Sequence, residues 1–358
     1  MRYAMIMAGG VGTRLWPFSR SQRPKQLLPL FDGRSLLEIA TDRLDGIVEP
    51  DRRLICTSEG FRSVVAETLG GIRVLGEPCG RDTLNAVGLT AAVLGQEDPD
   101  AVFAVLTADH IITPQAEFAR AAQQGFALVE ADPSRFVTFG ITPTHPATGY
   151  GYVNRGAPIA DFEGSFEANG FKEKPDLETA RRYLDAGTYS WNSGMFVFSA
   201  RAVLDALDRF RPENAEGLRR IAADWTAGEE QRQATLEAVY PTLPKISVDY
   251  GLMEPASNSD RNQICVVPMD VDWKDVGSWP SFAETLDVDA EGNRTSGSAT
   301  LLECHNVLAV SDDPKRLVTA IGCEDLIIVS TTDAILVCPS DRAEDVKRLA
   351  GEVPESHR

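Results

Sequence analysis

The chain has 358 residues and a formal net charge of −18, from 53 Asp and Glu against 35 Lys and Arg. That balance excludes a general nucleic-acid binder, which would carry a basic face, while 43% hydrophobic and 25% charged residues are the proportions of a folded globular chain. No apolar run is long enough to span a membrane, and the N-terminus lacks the basic region, long apolar core and cleavage site of a signal peptide, so the sequence points to the cytoplasm.

Taken in chain order, residues 3–7 read as a short buried strand, and glycines at 9, 10 and 12 follow it at once. Helical spacing over 35–44 is followed by a strand over 54–57, a helix over 61–69, a strand over 73–75 and an Ala, Val and Leu-rich helix over 83–94. A buried strand over 101–106 ends at Thr107-Ala108-Asp109-His110, and a helix over 116–131 and a strand over 136–141 come next. This alternation predicts an α/β fold with a mostly parallel sheet flanked by helices. Ligands in such sheets sit at the carboxyl ends of strands, where the glycine loop and Asp109 both fall.

The middle changes texture. Residues 149–154 and 189–198 read as aromatic-rich strands around a short helix at 177–184, which predicts an inserted, partly antiparallel layer. Helices are expected over 202–210, 215–223 and 231–239, and strands over 246–250 and 264–272. Short apolar stretches at 307–310, 317–321, 326–329 and 334–337, then a helix at 343–349, predict a small β-rich unit. The expected division is therefore 1–284 and 285–358, and the second part is too short for a second enzyme. The six cysteines stand singly with no C-x-x-C, and the four histidines are dispersed, which argues against a zinc or histidine-based metal site.

The chemistry concentrates in the first thirty residues. No Asp or Glu precedes Asp32, yet Arg2, Arg14, Arg20, Arg23 and Lys25 all fall there. A cationic island on a glycine loop fits a polyanion such as a nucleoside triphosphate. It is not the dinucleotide fingerprint, since Leu15 stands where a third glycine is needed, and it is not a Walker loop, since Arg14 comes five residues after Gly9. At the end of an apolar strand, Asp109 reads as a metal carboxylate or as a cap of the next segment. Asp275 reads as a second metal carboxylate, as a cap of a helix starting at Gly277, or as both.

Gly9-Gly10-Val11-Gly12-Thr13-Arg14-Leu15-Trp16-Pro17, with Lys25 downstream, resembles the signature of the sugar-1-phosphate nucleotidyltransferases. The extensions Trp16-Pro17-Phe18-Ser19-Arg20 and Pro24-Lys25-Gln26-Leu27-Leu28 resemble the mannose-1-phosphate guanylyltransferase branch. Further motifs follow in the family's order: Phe171-Lys172-Glu173-Lys174-Pro175, Trp191-Asn192-Ser193-Gly194, Ser247-Val248-Asp249-Tyr250 and Trp273-Lys274-Asp275-Val276-Gly277-Ser278-Trp279.

The resemblance implies a Rossmann-like mixed sheet of the GT-A kind with a short C-terminal left-handed β-helix. It implies transfer of GMP from GTP to mannose 1-phosphate with Mg²⁺ on Asp109 and Asp275. Ala8, Gly9, Gly10, Gly12 and Thr13 would wrap the nucleotide phosphates. Arg14 and Lys25 would be catalytic, stabilising phosphate charge. Glu77, Arg81, Asp82 and Thr83 would serve the base side, and Asp109 the nucleotide. Gly149, Glu173, Lys174, Asn192, Gly194 and Asp249 would hold the sugar phosphate.

At position 82 the family has Asn; the Asp here can accept from guanine N1–H and N2–H₂ or cap a helix, and Leu84-Asn85 also departs from the family pattern. A relative using thymidine and glucose 1-phosphate, and a non-catalytic nucleotide-sugar sensor, are the rival readings. A homodimer is compatible with the resemblance.

Overall fold

The protein is described by a computed structural model over residues 1–10, 12–259 and 263–358. Two compact units result, and neither is one continuous stretch: the first holds residues 1–9, 40–108 and 112–272, the second residues 10–39, 109–111 and 273–358.

The first unit is built on a nine-stranded sheet in the order Arg73–Glu77, Arg53–Ser58, Arg2–Met7, Val102–Thr107, Tyr189–Ser199, Phe136–Ile141, Ile264–Met269, Phe166–Lys172 and Tyr152–Pro158. The first four strands run parallel. Tyr189–Ser199 then enters antiparallel between Val102–Thr107 and Phe136–Ile141, as expected of an inserted layer. Strands buried on both faces have no polar side to alternate with, and Val102–Leu106 is buried throughout. Helix Asp82–Glu97 is buried from Leu84 to Leu94. It packs on Ala200–Phe210 and Pro212–Ala223, while Gln115–Ala131 packs on the sheet.

Two expectations need correction here. Residues 246–250 do not form a strand. The chain coils here because the Val248 N–H is taken by the Thr83 hydroxyl at 2.8 Å and the Gly251 N–H reaches back to the Ser247 carbonyl at 2.8 Å; Asp249–Met253 continues as a π-helical turn, closed by the Glu254 N–H on the Asp249 carbonyl five residues back. The expected strand over 264–272 is two strands, Ile264–Met269 and Asp272–Asp275, the second pairing with His110–Thr113. Phe166–Lys172 is a strand that the sequence pattern did not reveal; it interleaves Glu, Asn, Gly and Lys with its few apolar residues.

The second unit carries a four-stranded sheet in the order Arg294–Ser296, Leu308–Ser311, Leu326–Ser330, Ile335–Pro339, and a parallel pair Ala299–Leu302 with Val318–Ile321. Its core joins the two ends of the sequence. Leu15, Trp16, Phe18, Leu28 and Leu36 pack with Val276, Trp279, Phe282, Leu308, Val329 and Val346. The Trp279 indole N–H donates to the Trp16 carbonyl at 2.9 Å, and the Trp16 indole N–H donates to the His357 carbonyl at 2.8 Å. The closing helix is Val346–Glu352, after a 3-10 stretch Ser340–Asp345.

Candidate active site

Each unit carries its own cluster of chemically able side chains. In the second unit the glycine loop runs through Gly10 and Gly12 at φ 86° and 73°, left-handed values that favour glycine. At Gly12 there is a further constraint. A Cβ there would lie 2.5–2.6 Å from three carbons of the Lys25 side chain, so the loop and the lysine stem share one space. Among the described residues, no acceptor pairs with the N–H groups of Gly9, Gly10 or Gly12, which leaves these donors to a ligand. Ala8 differs: its N–H donates to the Cys56 carbonyl at 2.8 Å and its own carbonyl accepts from Thr57 Oγ1 at 2.9 Å. Thr13 opens a single 3-10 turn, Thr13–Leu15.

Lys25 Nζ donates to Asp109 Oδ2 at 2.7 Å and to the Val276 carbonyl at 3.1 Å. Burial works to raise the Asp109 carboxyl, but the Lys25 ammonium, together with His110 and hydrogen bonding, holds the group below its ordinary range. Asp109, His110 and Asp275 bring ligand atoms within 4.8 Å of one another.

The Trp273 indole N–H donates to His110 Nδ1 at 3.2 Å. A neutral imidazole accepting at Nδ1 carries its proton on Nε2, and Nε2 lies 3.9 Å from Asp109 Oδ1. The ring is therefore placed as a donor towards Asp109, and the two aspartates remain as the carboxylate pair that a hard cation prefers. Two carboxylates beside an ammonium and open backbone donors fit a divalent cation shared with phosphate oxygens.

Arg14 is exposed and pairs with Glu344 at 3.4 Å. The space above Gly277 lies 3.6 Å from both an Arg14 terminal nitrogen and Asp275 Oδ1. Asp275 is not the helix cap that it could have been. Ser278 caps Trp279–Ala283 in a reciprocal box with Ser281.

In the first unit the sugar-side residues converge. Asn192 Nδ2 donates to Asp249 Oδ1 at 2.8 Å, and its Oδ1 accepts from Thr138 Oγ1 at 2.8 Å and from the Gly194 N–H at 3.2 Å. The amide orientation is thereby fixed. Lys174 lies 3.2 Å from Glu173. Burial, reinforced by the neighbouring Glu173 charge, pushes the Asp249 carboxyl up to about 7. Glu173 is raised too, by burial that Lys174 only partly offsets. Gly149 is exposed with nothing near its missing Cβ. The close approach occurs instead at Gly151, where a Cβ would sit 2.5 Å from Glu173 Oε2. Gly151 and Thr138 are the residues that sequence reading missed; Gly151 stood two positions from the glycine it chose.

The base-side residues have divided duties. Glu77 is 8% exposed and its Oε1 accepts from the Tyr240 hydroxyl at 2.5 Å, inside the core. Burial raises its carboxyl above the ordinary range despite that bond. Asp82 is exposed at φ 62° and accepts from the Thr83 N–H at 2.9 Å, as the first residue of its helix rather than the cap, which is Arg81. Arg81 Nε is buried with no partner among the described residues.

Residues 3–292 match the model of the nucleotidyl transferase family, and residues 297–353 match the mannose-phosphate isomerase/GMP-like beta-helix domain. The chain is 39% identical over 367 residues to a mannose-1-phosphate guanylyltransferase of Escherichia coli, covering 100% of this chain and 75% of that one. A mannose-1-phosphate guanylyltransferase of Klebsiella pneumoniae gives the same identity and coverage. The crystal structure of a mannose-1-phosphate geranyltransferase from Thermus thermophilus superposes with a TM-score of 0.85 at 33% identity, over 98% of each chain. Among the described residues, no helix is long and apolar enough to cross a membrane. With a family model matched over residues 3–292 and full-length relatives at 39% identity, the chain belongs to the nucleotidyl transferase family, in its mannose-1-phosphate guanylyltransferase branch.

Proposed function

We propose that the chain joins GTP and mannose 1-phosphate to give GDP-mannose and pyrophosphate, with Mg²⁺ held by Asp109 and Asp275. The observation that carries this reading is the Lys25 ammonium at 2.7 Å from Asp109, in a cluster that also contains Asp275.

A phosphate oxygen of the sugar phosphate attacks the α-phosphorus of GTP and forms the new P–O bond. The bond between the α-phosphorus and the bridging oxygen breaks, and pyrophosphate leaves with the electron pair. The nucleophile is already an anion, so no general base is needed. What the reaction requires is alignment and neutralisation of charge. Bound Mg²⁺ supplies charge neutralisation between phosphate oxygens.

The N–H groups of Gly9, Gly10 and Gly12 bind phosphate oxygens. Lys25 and Arg14 stabilise charge on the α-phosphate and leaving group. Asp82 accepts from the guanine N1–H and N2–H₂, donors that adenine does not offer on that edge. Glu173 and Asp249 take hydrogen bonds with sugar hydroxyls, oriented by Asn192, and Lys174 pairs with the sugar phosphate. Glu77 acts from behind, bracing the base-side loop through Tyr240. A cytoplasmic location is supported by the six cysteines, all free thiols.

The test is pyrophosphate release over a grid of four nucleoside triphosphates and several hexose 1-phosphates with Mg²⁺. Turnover is expected with GTP and mannose 1-phosphate. Turnover with another pair and none with these would overturn the substrate assignment.

A further inference from the structure

One buried amide ties the base-side loop to the sugar-side turn. Asn85 is fully buried in the first turns of helix Asp82–Glu97. Its Nδ2 donates to the Arg81 carbonyl at 2.8 Å and to the Pro244 carbonyl at 2.9 Å. Its Oδ1 accepts from Asn214 Nδ2 at 2.8 Å, and that same nitrogen also donates to the Pro244 carbonyl at 3.0 Å. Two more bonds continue the seam: the Leu84 N–H donates to the Ile246 carbonyl at 3.2 Å, and the Val248 N–H donates to Thr83 Oγ1 at 2.8 Å. Alternate backbone groups from Pro244 to Val248 are thus fastened to the start of one helix. Asp249 follows immediately, and Arg81, Asp82 and Thr83 lie at the other end of the seam.

A buried amide with all these bonds made holds its neighbours in one arrangement, whereas a half-satisfied one is costly. Asn85 joins the two sides directly, through the Arg81 carbonyl and through the Pro244 carbonyl, and Asn214 backs it by bonding both Asn85 and Pro244.

We propose that Asn85 is a positioning residue that sets the Arg81–Asp82–Thr83 loop and Asp249 in register, so that binding on the base side and binding on the sugar side favour each other. The proposal rests on the nucleotidyl transfer reading of these two segments.

Kinetics of Asn85→Ala test it, beside Val93→Ala, a core truncation in the same helix that loosens packing without touching the seam. Asn85→Ala is expected to raise KM for both substrates roughly tenfold, the scale of losing its three buried hydrogen bonds, while Val93→Ala lowers the melting temperature and leaves both KM values near those of the unaltered protein. Equal KM shifts in the two variants, or a shift in one substrate alone, would overturn the proposal. Should Asn85→Ala fail to fold, Asn214→Ala spares both donor bonds of Asn85 and is expected to raise both KM values roughly threefold by loss of the two supporting bonds from Asn214 to Asn85 Oδ1 and to the Pro244 carbonyl; no shift would again overturn it.

If the unaltered protein turns over a different nucleotide and sugar phosphate, the substrate assignment fails and the same comparison is made with that pair. If it turns over none, hydrogen exchange decides. Binding of a nucleoside triphosphate should slow exchange of the 246–249 amides in the unaltered protein and slow it less in Asn214→Ala, and an absence of any slowing in the unaltered protein, or equal slowing in the two, overturns the coupling.

Discussion

The two clusters treat their carboxylates in opposite ways. In the second unit Asp109 is half-buried yet kept charged, because an ammonium lies 2.7 Å away. In the first unit Asp249 and Glu173 are half-buried or buried near each other, and each holds its proton more tightly than an ordinary carboxyl. Burial pushes all three upwards; the partner decides the outcome. A charged Asp109 with Asp275 close by suits a divalent cation and phosphates. Carboxyls that hold their protons more tightly, beside an oriented amide, suit neutral hydroxyls, which need both donors and acceptors. One fold thus holds the same residue type in opposite charge tendencies in its two clusters.

Breaking the charged side should give the largest effect. Lys25→Ala is expected to lower kcat by about 10²–10³, the scale of removing one preorganised donor, measured by pyrophosphate release at saturating substrates. A variant with unchanged kcat would remove Lys25 from the reaction. Next in size is the support behind the aspartates. Trp273→Phe deletes the donor to His110 Nδ1 and should raise the Mg²⁺ concentration for half-maximal activity about tenfold, the lower end of the range for losing a supporting hydrogen bond at a metal site. An unchanged Mg²⁺ titration would show that the imidazole orientation does not matter there.

The same side can be strained without removing a charge. Gly12→Ala forces a side chain into left-handed backbone and against the Lys25 stem, so urea unfolding should show a loss of about 1–2 kcal/mol. A loss near zero would mean that the loop relaxes freely.

The smallest effect sharpens the sugar side. A folded-state Asp249 carboxyl near 7, against an ordinary value of 3.8, means that the native state binds more protons than the unfolded state between about pH 4 and 7. Stability therefore falls as pH rises through that window, by less than about 1.4 kcal/mol per pH unit, the ceiling for one proton. Asp249→Asn should flatten that slope in urea unfolding followed from pH 4.5 to 7.5. A slope as steep as in the unaltered protein would place the titrating group elsewhere.

Much of this was written in the local pattern. The alternation of strands and helices through residue 141 is carried by hydrophobic spacing, and the tight loop after the first strand by its three glycines. What the pattern concealed depended on partners distant in sequence. Residues 246–250 alternate like a strand, but Thr83 captures the Val248 N–H and the chain coils instead. Glu77 stands in a base-side motif yet turns inward, because Tyr240 lies 163 positions away in sequence and 2.5 Å away in space. Asp275 looked like a cap until Ser278 and Ser281 closed that end of the helix between themselves. No window of residues contains His110 and Trp273 together, so the tautomer that their bond selects was invisible.

The core that holds Leu15, Trp16 and Phe18 is completed by residues after Val276, and Trp16 makes its indole bond to His357. During synthesis from the N-terminus, the phosphate loop therefore emerges from the ribosome long before the residues that will cover its hydrophobic side. The loop cannot settle by local folding; it waits, with an exposed tryptophan and phenylalanine, for the last part of the chain.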